Sequence, residues 1–203
     1  MAITNGYCTL AQVKAALRLT DNADDTLLES AIQSASRRID GYCNRWFYKT
    51  SQTPIQVYPA TIYECGVLND IANSSVTVKI DSNADGTYAT TWTQGQQYQL
   101  EPLNTAITGK PYRRIVAING YSFPIAYDKP LVQVTAQWGW NAIPSDVEQA
   151  CILLSMRQFA RLNAALGVVG FADMAIQVRA VDPDVRDLLQ QFVLPTAGAG
   201  AAL

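Results

Sequence analysis

The chain of 203 residues contains no histidine. Imidazole titrates near neutrality, activates most serine and cysteine nucleophiles and supplies nitrogen to most zinc sites, so its absence removes the commonest routes to those chemistries. Carboxylates and lysine can substitute, but no GxSxG, P-loop or GxGxxG spelling is present to support an enzyme. Cysteine is scarce as well. Cys8, Cys43, Cys65 and Cys151 lie far apart with no CxxC pair, which reads as buried thiols of a reducing cytoplasm rather than a disulfide framework. There is no apolar run of about 18 residues for a membrane span, and no basic-then-apolar opening of a signal peptide. Charged residues make up 16% of the chain and the net charge is −2, so bulk electrostatics would not hold it to DNA. What is plentiful is apolar content, 49%, enough for a sizeable core and for one large or two small domains. These absences together favour a structural or binding role.

The most chemical-looking spelling is "KIDSNADGTYATTW", residues 79–92. Asp81, Asn83 and Asp85 alternate before Gly86, as at the start of a helix–loop–helix calcium loop. Such a loop closes with a bidentate glutamate at position twelve, which here is Trp92, and position nine is Ala89. The flanking runs "VTVKI" and "TYATTW" are β-branched and aromatic, so they read as strands, and Asp-Gly between strands reads as a hairpin turn. The expectation is a hairpin without metal, with a weak structural calcium site as the alternative.

Helical periodicity occupies both ends of the chain. "TLAQVKAALRL" opens on Thr9 with Gln12 three residues on, a capping-box spelling, and Leu10, Val13, Ala16 and Leu17 recur at helical spacing. A longer helix follows "TDNADD", with Leu27, Leu28, Ala31, Ile32, Ala35, Ile39 and Tyr42 as its apolar stripe and Gly41 and Asn44 weakening its end. After Pro144, Ser145 and Glu148 spell a second capping box before Val147, Ala150, Cys151, Leu154, Phe159 and Leu162. "GVVGFADMAIQVRAV" is ambiguous between a loop with a short strand and a turn of helix. A last helix starts at Asp182 with Pro183 in its first position and carries Val185, Leu188, Leu189 and Phe192.

Between Trp46 and Trp138 the period is two. "RWFYKT", "IQVY", "VTVKI", "YATTW", "QYQL", "RRIVAI" and "LVQVTAQW" read as strands separated by turn residues. The fold class is therefore α+β: a helical bundle from the N- and C-terminal helices, residues 1–45 and 144–194, with an inserted antiparallel β domain, residues 46–143, and a flexible small-residue tail, 195–203. Neither end has enough helix to bury its own stripe, so Leu28, Ile32, Ile39, Leu154 and Leu188 are expected to share one core.

Four stretches resemble the head–tail connector, or adaptor, proteins of long-tailed phages: "TLAQVKAALRL", "DDTLLESAIQSASRRIDGYCNRWF", "VTAQWGWNAIPSDVEQACILLSMRQF" and "DPDVRDLLQQFVLP". They cover roughly half of the chain, in order. The resemblance implies a non-enzymatic assembly part without cofactors: a ring of about a dozen copies under the portal vertex, extending the DNA channel and docking the tail or a stopper protein. It implies a place in the virion, made in the host cytoplasm, with no membrane partner. A weakly acidic chain suits a channel through which DNA slides without specific binding. The β insertion is long for that family.

The candidate interface residues are Arg37 and Arg38, Arg157 and Arg161 one helical turn apart, the helix from Asp182 with Phe192 and Leu194, and Leu203 in the tail, docking on the portal or an adjacent subunit. For the arginines the competing account is a solvated helix face. Arg113 and Arg114 form the other basic pair. Trp138 and Trp140, like Tyr88, Trp92 and Tyr98, are expected to be packing residues rather than a binding platform. A carbohydrate- or calcium-binding decoration module on a helical mount is the alternative function. A carboxylate hydrolase would need two converging acids, and no spacing points to them.

Overall fold

The computed structural model describes residues 3–126, 128–163, 168–171, 174–177 and 183–195. In chain order the elements begin α1 (Leu10–Leu17), α2 (Asp25–Cys43), β1 (Gln52–Val57), β2 (Glu64–Ile71), β3 (Thr77–Ile80), β4 (Thr90–Trp92) and β5 (Tyr98–Glu101). They continue with α3 (Thr105–Thr108), β6 (Tyr112–Ala117), β7 (Val132–Gln137), α4 (Ser145–Asn163), β8 (Val168–Phe171), β9 (Met174–Gln177) and α5 (Pro183–Gln190). The chain divides into two compact units, one from Met1–Tyr48 with Ile143–Leu203 and the other from Lys49–Ala142.

The helical unit is built from both ends of the chain. Helix α1 starts as its spelling requires: the Thr9 hydroxyl accepts the Gln12 amide while the Gln12 side chain accepts the Thr9 amide. Helix α2 buries Leu28, Ala31, Ile32, Ala35, Ile39 and Cys43 at helical spacing, and it ends where Asn44 turns left-handed at φ 53°. Leu27 and Tyr42, counted in that stripe by sequence, are exposed. Ser36, buried in the same stripe, is satisfied: its hydroxyl donates to the Ile32 carbonyl and accepts the Tyr7 amide.

Helix α4 packs on α2 and buries Val147, Ala150, Cys151 and Leu154. The expected capping box at its start does not form. Ser145 is the first helical residue, the Glu148 amide reaches the Pro144 carbonyl, and the Glu148 carboxylate accepts instead from Gln12 of α1. Helix α5 begins with Pro183 as expected and buries Val185 and Leu189. Leu188 is only half-buried, so of the five residues expected to share the core Leu28, Ile32, Ile39 and Leu154 are buried and Leu189 takes the fifth place. The ambiguous segment before α5 contains an antiparallel pair, β8 with β9, in the register Val168↔Gln177.

The β unit holds a four-stranded sheet in the order β1-β7-β3-β4 and a three-stranded sheet in the order β2-β6-β5, each antiparallel throughout. Alternation is clean in β7, where Val132, Val134 and Ala136 are buried and the residues between them are half-buried. Pro54 sits in β1, an edge strand, where a missing amide costs no inner ladder bond. One strand assignment from sequence is corrected, and one strand, β2, was not foreseen. "RWFYKT" is irregular, because Phe47 turns into the helical core. Strand β2, whose "ECGVLNDI" does not alternate, is irregular in its pairing with β6 between Gly66 and Ile71.

Candidate functional site

The hairpin question has a geometric answer. Strands β3 and β4 pair antiparallel, Val78 opposite Trp92 and Ile80 opposite Thr90, so the flanks are strands. The connection is a nine-residue loop rather than a tight turn at Asp85-Gly86, and its left-handed residues are Ala84 and Gly86. Asp81 organises it. Its carboxylate accepts the amides of Asn83 at 3.2 Å, Asp85 at 3.4 Å and Gly86 at 2.8 Å. Burial pushes this carboxyl up, but the amides of Gly86, Asp85 and Asn83 outweigh it and hold it below the usual carboxylate range. Both carboxylate oxygens of Asp81 thus serve the loop's own backbone.

A group with a depressed folded-state pKa stabilises above its unfolded value, and that contribution is lost as pH falls through the folded value. The thermal stability of the β unit should therefore fall as the pH drops below about 4, with the Gly86 amide resonance moving in step. Asp81→Asn should abolish that movement of Gly86. A Gly86 amide that titrates unchanged in the variant would show that Asp81 is not its partner.

The five aromatic residues singled out in this unit make packing contacts or hydrogen bonds within it. Trp92 stacks on Phe123 at 4.8 Å, and the Tyr98 hydroxyl donates to the Val76 carbonyl and that of Tyr88 to the Pro130 carbonyl. Trp138 and Trp140 are buried and donate their indole N–H groups to the Thr53 carbonyl and the Asp70 carboxylate. Arg113 lies 3.6 Å from Asp70, and Arg114 bridges Glu64 and Glu101. Both arginines thus pair with acids of the β unit while staying about half exposed.

Among the described residues, several candidate residues converge in the helical unit. Arg38 of α2 and Arg157 and Arg161 of α4 line a cavity of about 240 Å³ together with Leu154 and Gln158. An adjoining cavity of about 90 Å³ shares Arg38 and Leu154 and adds Ile39, Tyr42, Val185, Leu189 and Arg186. The result is a groove with an apolar floor and a guanidinium rim. Guanidinium is always charged and offers five donors in a planar fork, so this groove suits carboxylate side chains beside an apolar anchor. Arg38 and Arg157 also make contacts within the chain, whereas Arg161 and Arg186 are exposed. Arg186 was not singled out from sequence, and Tyr42 was read there only as part of the apolar stripe of α2. Their signal is their place on α5 and α2 beside the buried Val185 and Ile39.

The remaining candidates lie elsewhere. Arg37 is engaged locally: it pairs with Asp40 at 3.2 Å, donates to the Asn5 carbonyl and covers the rings of Tyr7 and Tyr48. Phe192 is buried against Phe47. Leu194 is tied to the end of α2, its amide on the Cys43 carbonyl and its carbonyl on the Asn44 side chain. Asp182 and Leu203, with residues 196–203 of the tail, lie outside the described residues. Among the described residues no helix is long and apolar enough to cross a membrane.

Residues 7–82, which take in α1, α2 and β1 to β3, match the family described as phage gp6-like head-tail connector protein. No curated protein matches the chain. Among solved structures, the neck of an empty gene transfer agent particle computed with C6 symmetry contains a chain at TM-score 0.57 and 17% identity. The neck of the native particle computed with C12 symmetry gives 0.57 at 19%, and the virion of the native particle 0.58 at 20%. Each likeness covers 98% of this chain and 96% of the other. The fold is similar to that of a chain in the neck of a gene transfer agent particle, and residues 7–82 match the head–tail connector family.

Proposed function

We propose that this protein is a structural head–tail connector subunit that assembles as a ring of about a dozen copies beneath the portal, extends the DNA channel and presents a docking surface to the tail or a stopper protein. One observation carries the reading: the likeness to neck chains runs nearly end to end in both partners, so the β unit as well as the helical unit has its counterpart there. The match of residues 7–82 to the connector family points the same way. The C6 and C12 symmetries belong to those particles, and a similar copy number here is part of the proposal.

The role is non-enzymatic in this reading. The chain has no histidine, and its buried acids are held in structural bonds, Asp81 by loop amides and Asp70 by Trp140. The groove of Arg38, Arg157, Arg161 and Arg186 is the surface offered to a neighbouring subunit or to the portal. Leu194 and the tail that follows provide a second contact. DNA passes without specific binding, consistent with a net charge of −2.

The test is to mix the purified protein with portal-bearing capsids and image them by negative stain. Ring-shaped density added at the portal vertex is the expected result. Capsids that stay bare at micromolar protein, with the protein shown to be folded, would overturn the proposal.

A further inference from the structure

Cys8 and Cys151 are 143 residues apart in the chain, yet the Cys8 thiol donates to the Cys151 sulfur across 3.2 Å. Both are buried, at 6% and 0% exposure. Cys8 precedes the Thr9 cap of α1, and Cys151 lies in the second turn of α4. Two hydroxyls attend the pair, Ser36 at 3.5 Å and Ser155 at 4.0 Å from the Cys151 sulfur. Those hydroxyls are themselves fixed, Ser36 by the Ile32 carbonyl and Ser155 by the Cys151 carbonyl. The sulfurs thus meet in a small polar nest within an apolar core. Cys43 and Cys65 differ: burial pushes their thiols up to about 11 and about 12.

We propose that Cys8 and Cys151 form an oxidative cross-linking site, which a peroxide converts into a disulfide stapling the segment before α1 to α4. The two thiols have distinct parts in this chemistry. The hydrogen bond from Cys8, helped by Ser36 and Ser155 against the effect of burial, holds Cys151 below the usual thiol range, while Cys8 is pushed up and keeps its proton. The Cys151 thiolate attacks one oxygen of hydrogen peroxide; the O–O bond breaks and hydroxide leaves, taking up a proton as water. The Cys8 sulfur then attacks the sulfenic sulfur of Cys151 and gives up its proton. The S–O bond breaks, and the departing hydroxyl takes that proton and leaves as a second water. In sum two thiols and one peroxide become one disulfide and two waters; the sulfurs lose two electrons and the peroxide oxygens gain them. The sulfurs must approach from 3.2 Å to about 2.05 Å, and Cys8 stands before α1, outside any helix.

The cross-link would have an unusual reach. The helical unit is made from the two ends of the chain, with the whole β unit between them. A disulfide from Cys8 to Cys151 closes that entire excursion, and long closed loops restrict the unfolded chain most. In a reducing cytoplasm the pair stays as thiols, and exposure to peroxide outside it would lock the unit.

The experiment uses the full chain. It is treated with hydrogen peroxide at neutral pH, quenched, unfolded and alkylated. Titratable thiols should fall from the four free cysteines to two, with non-reducing peptide mapping joining Cys8 to Cys151. The melting temperature should rise on the order of 10 °C and return on adding dithiothreitol. Cys8→Ser and Cys151→Ser should each abolish both changes. Four thiols that remain alkylatable, a sulfinic acid at Cys151 without a cross-link, or a bridge involving Cys43 or Cys65 would each overturn the assignment, and all are read on the unmutated protein.

Discussion

Phe47→Ala should destabilise the helical unit by about 3–5 kcal/mol, the range for truncating a buried phenylalanine. The ring is fully buried. The Tyr7 ring meets it edge-on at 5.6 Å and 88°, and the Phe192 ring at 5.5 Å and 87°. Its own amide donates to the Tyr7 hydroxyl at 2.8 Å, and that hydroxyl donates in turn to Asp40. Three distant stretches of the chain are thus joined at one side chain: the segment before α1, the exit from α2 and the residues after α5. Alanine would leave a void that none of the three can fill alone, since each is already held by hydrogen bonds of its backbone, Tyr7 to the Ser36 hydroxyl and Leu194 to the Cys43 carbonyl among them. Far-UV circular dichroism during urea unfolding follows the helices and so reports this unit. Phe47→Leu, which keeps most of the volume, should cost under about 1.5 kcal/mol. A loss below about 1 kcal/mol for Phe47→Ala would mean that the cluster does not hold the chain ends together.

Phe47 also shows where sequence reading stops. "RWFYKT" carries three consecutive aromatics, the composition of a strand, but composition does not say what the rings pack against, and Phe47 fills the helical core. The reading succeeded where the signal is local. The capping box of Thr9 and Gln12, the stripe from Leu28 to Ile39, Pro183 at the start of α5 and the strands flanking the Asp81 loop all depend on residues a few positions apart. It failed where a distant partner decides. Glu148 spells a cap but is taken by Gln12, 136 residues away, and Leu188 and Leu189 are equally apolar until α4 selects the second. In β2 the unpatterned "ECGVLNDI" is strand because β6 lies beside it. The α+β class was legible because helical and two-residue periods occupy separate stretches of the chain. The groove was half legible: Arg38, Arg157 and Arg161 were each noted, but only the packing of α2 on α4 brings them to one rim, and Arg186 joins through α5.

That groove carries the second large expectation, which rests on its role as the docking surface of the connector. Arg161→Glu combined with Arg186→Glu should weaken attachment to portal-bearing capsids by about a hundred-fold or more. Reversing a rim charge turns attraction to an acidic partner into repulsion worth several kcal/mol, and each ~1.4 kcal/mol is a factor of ten. The fold should tolerate the change. Both side chains are exposed, and exposed substitutions away from special features usually shift stability by less than about 0.5 kcal/mol. Arg161 has one added contribution, because a cation in the last turn of α4 opposes the negative end of the helix dipole, worth about 0.3–1 kcal/mol. Arg161→Gln is the corresponding control: it removes the positive charge without placing a negative one at that end, so attachment should fall less than with glutamate while stability stays close to the parent. A salt series separates charge from packing, since screening over a Debye length of about 8 Å at physiological ionic strength should weaken the parent's attachment more than that of the reversed variant. A doubly reversed protein that melts like the parent and joins capsids equally well would place the groove on the open surface of the ring, and the docking role would pass to Leu194 and the chain beyond it.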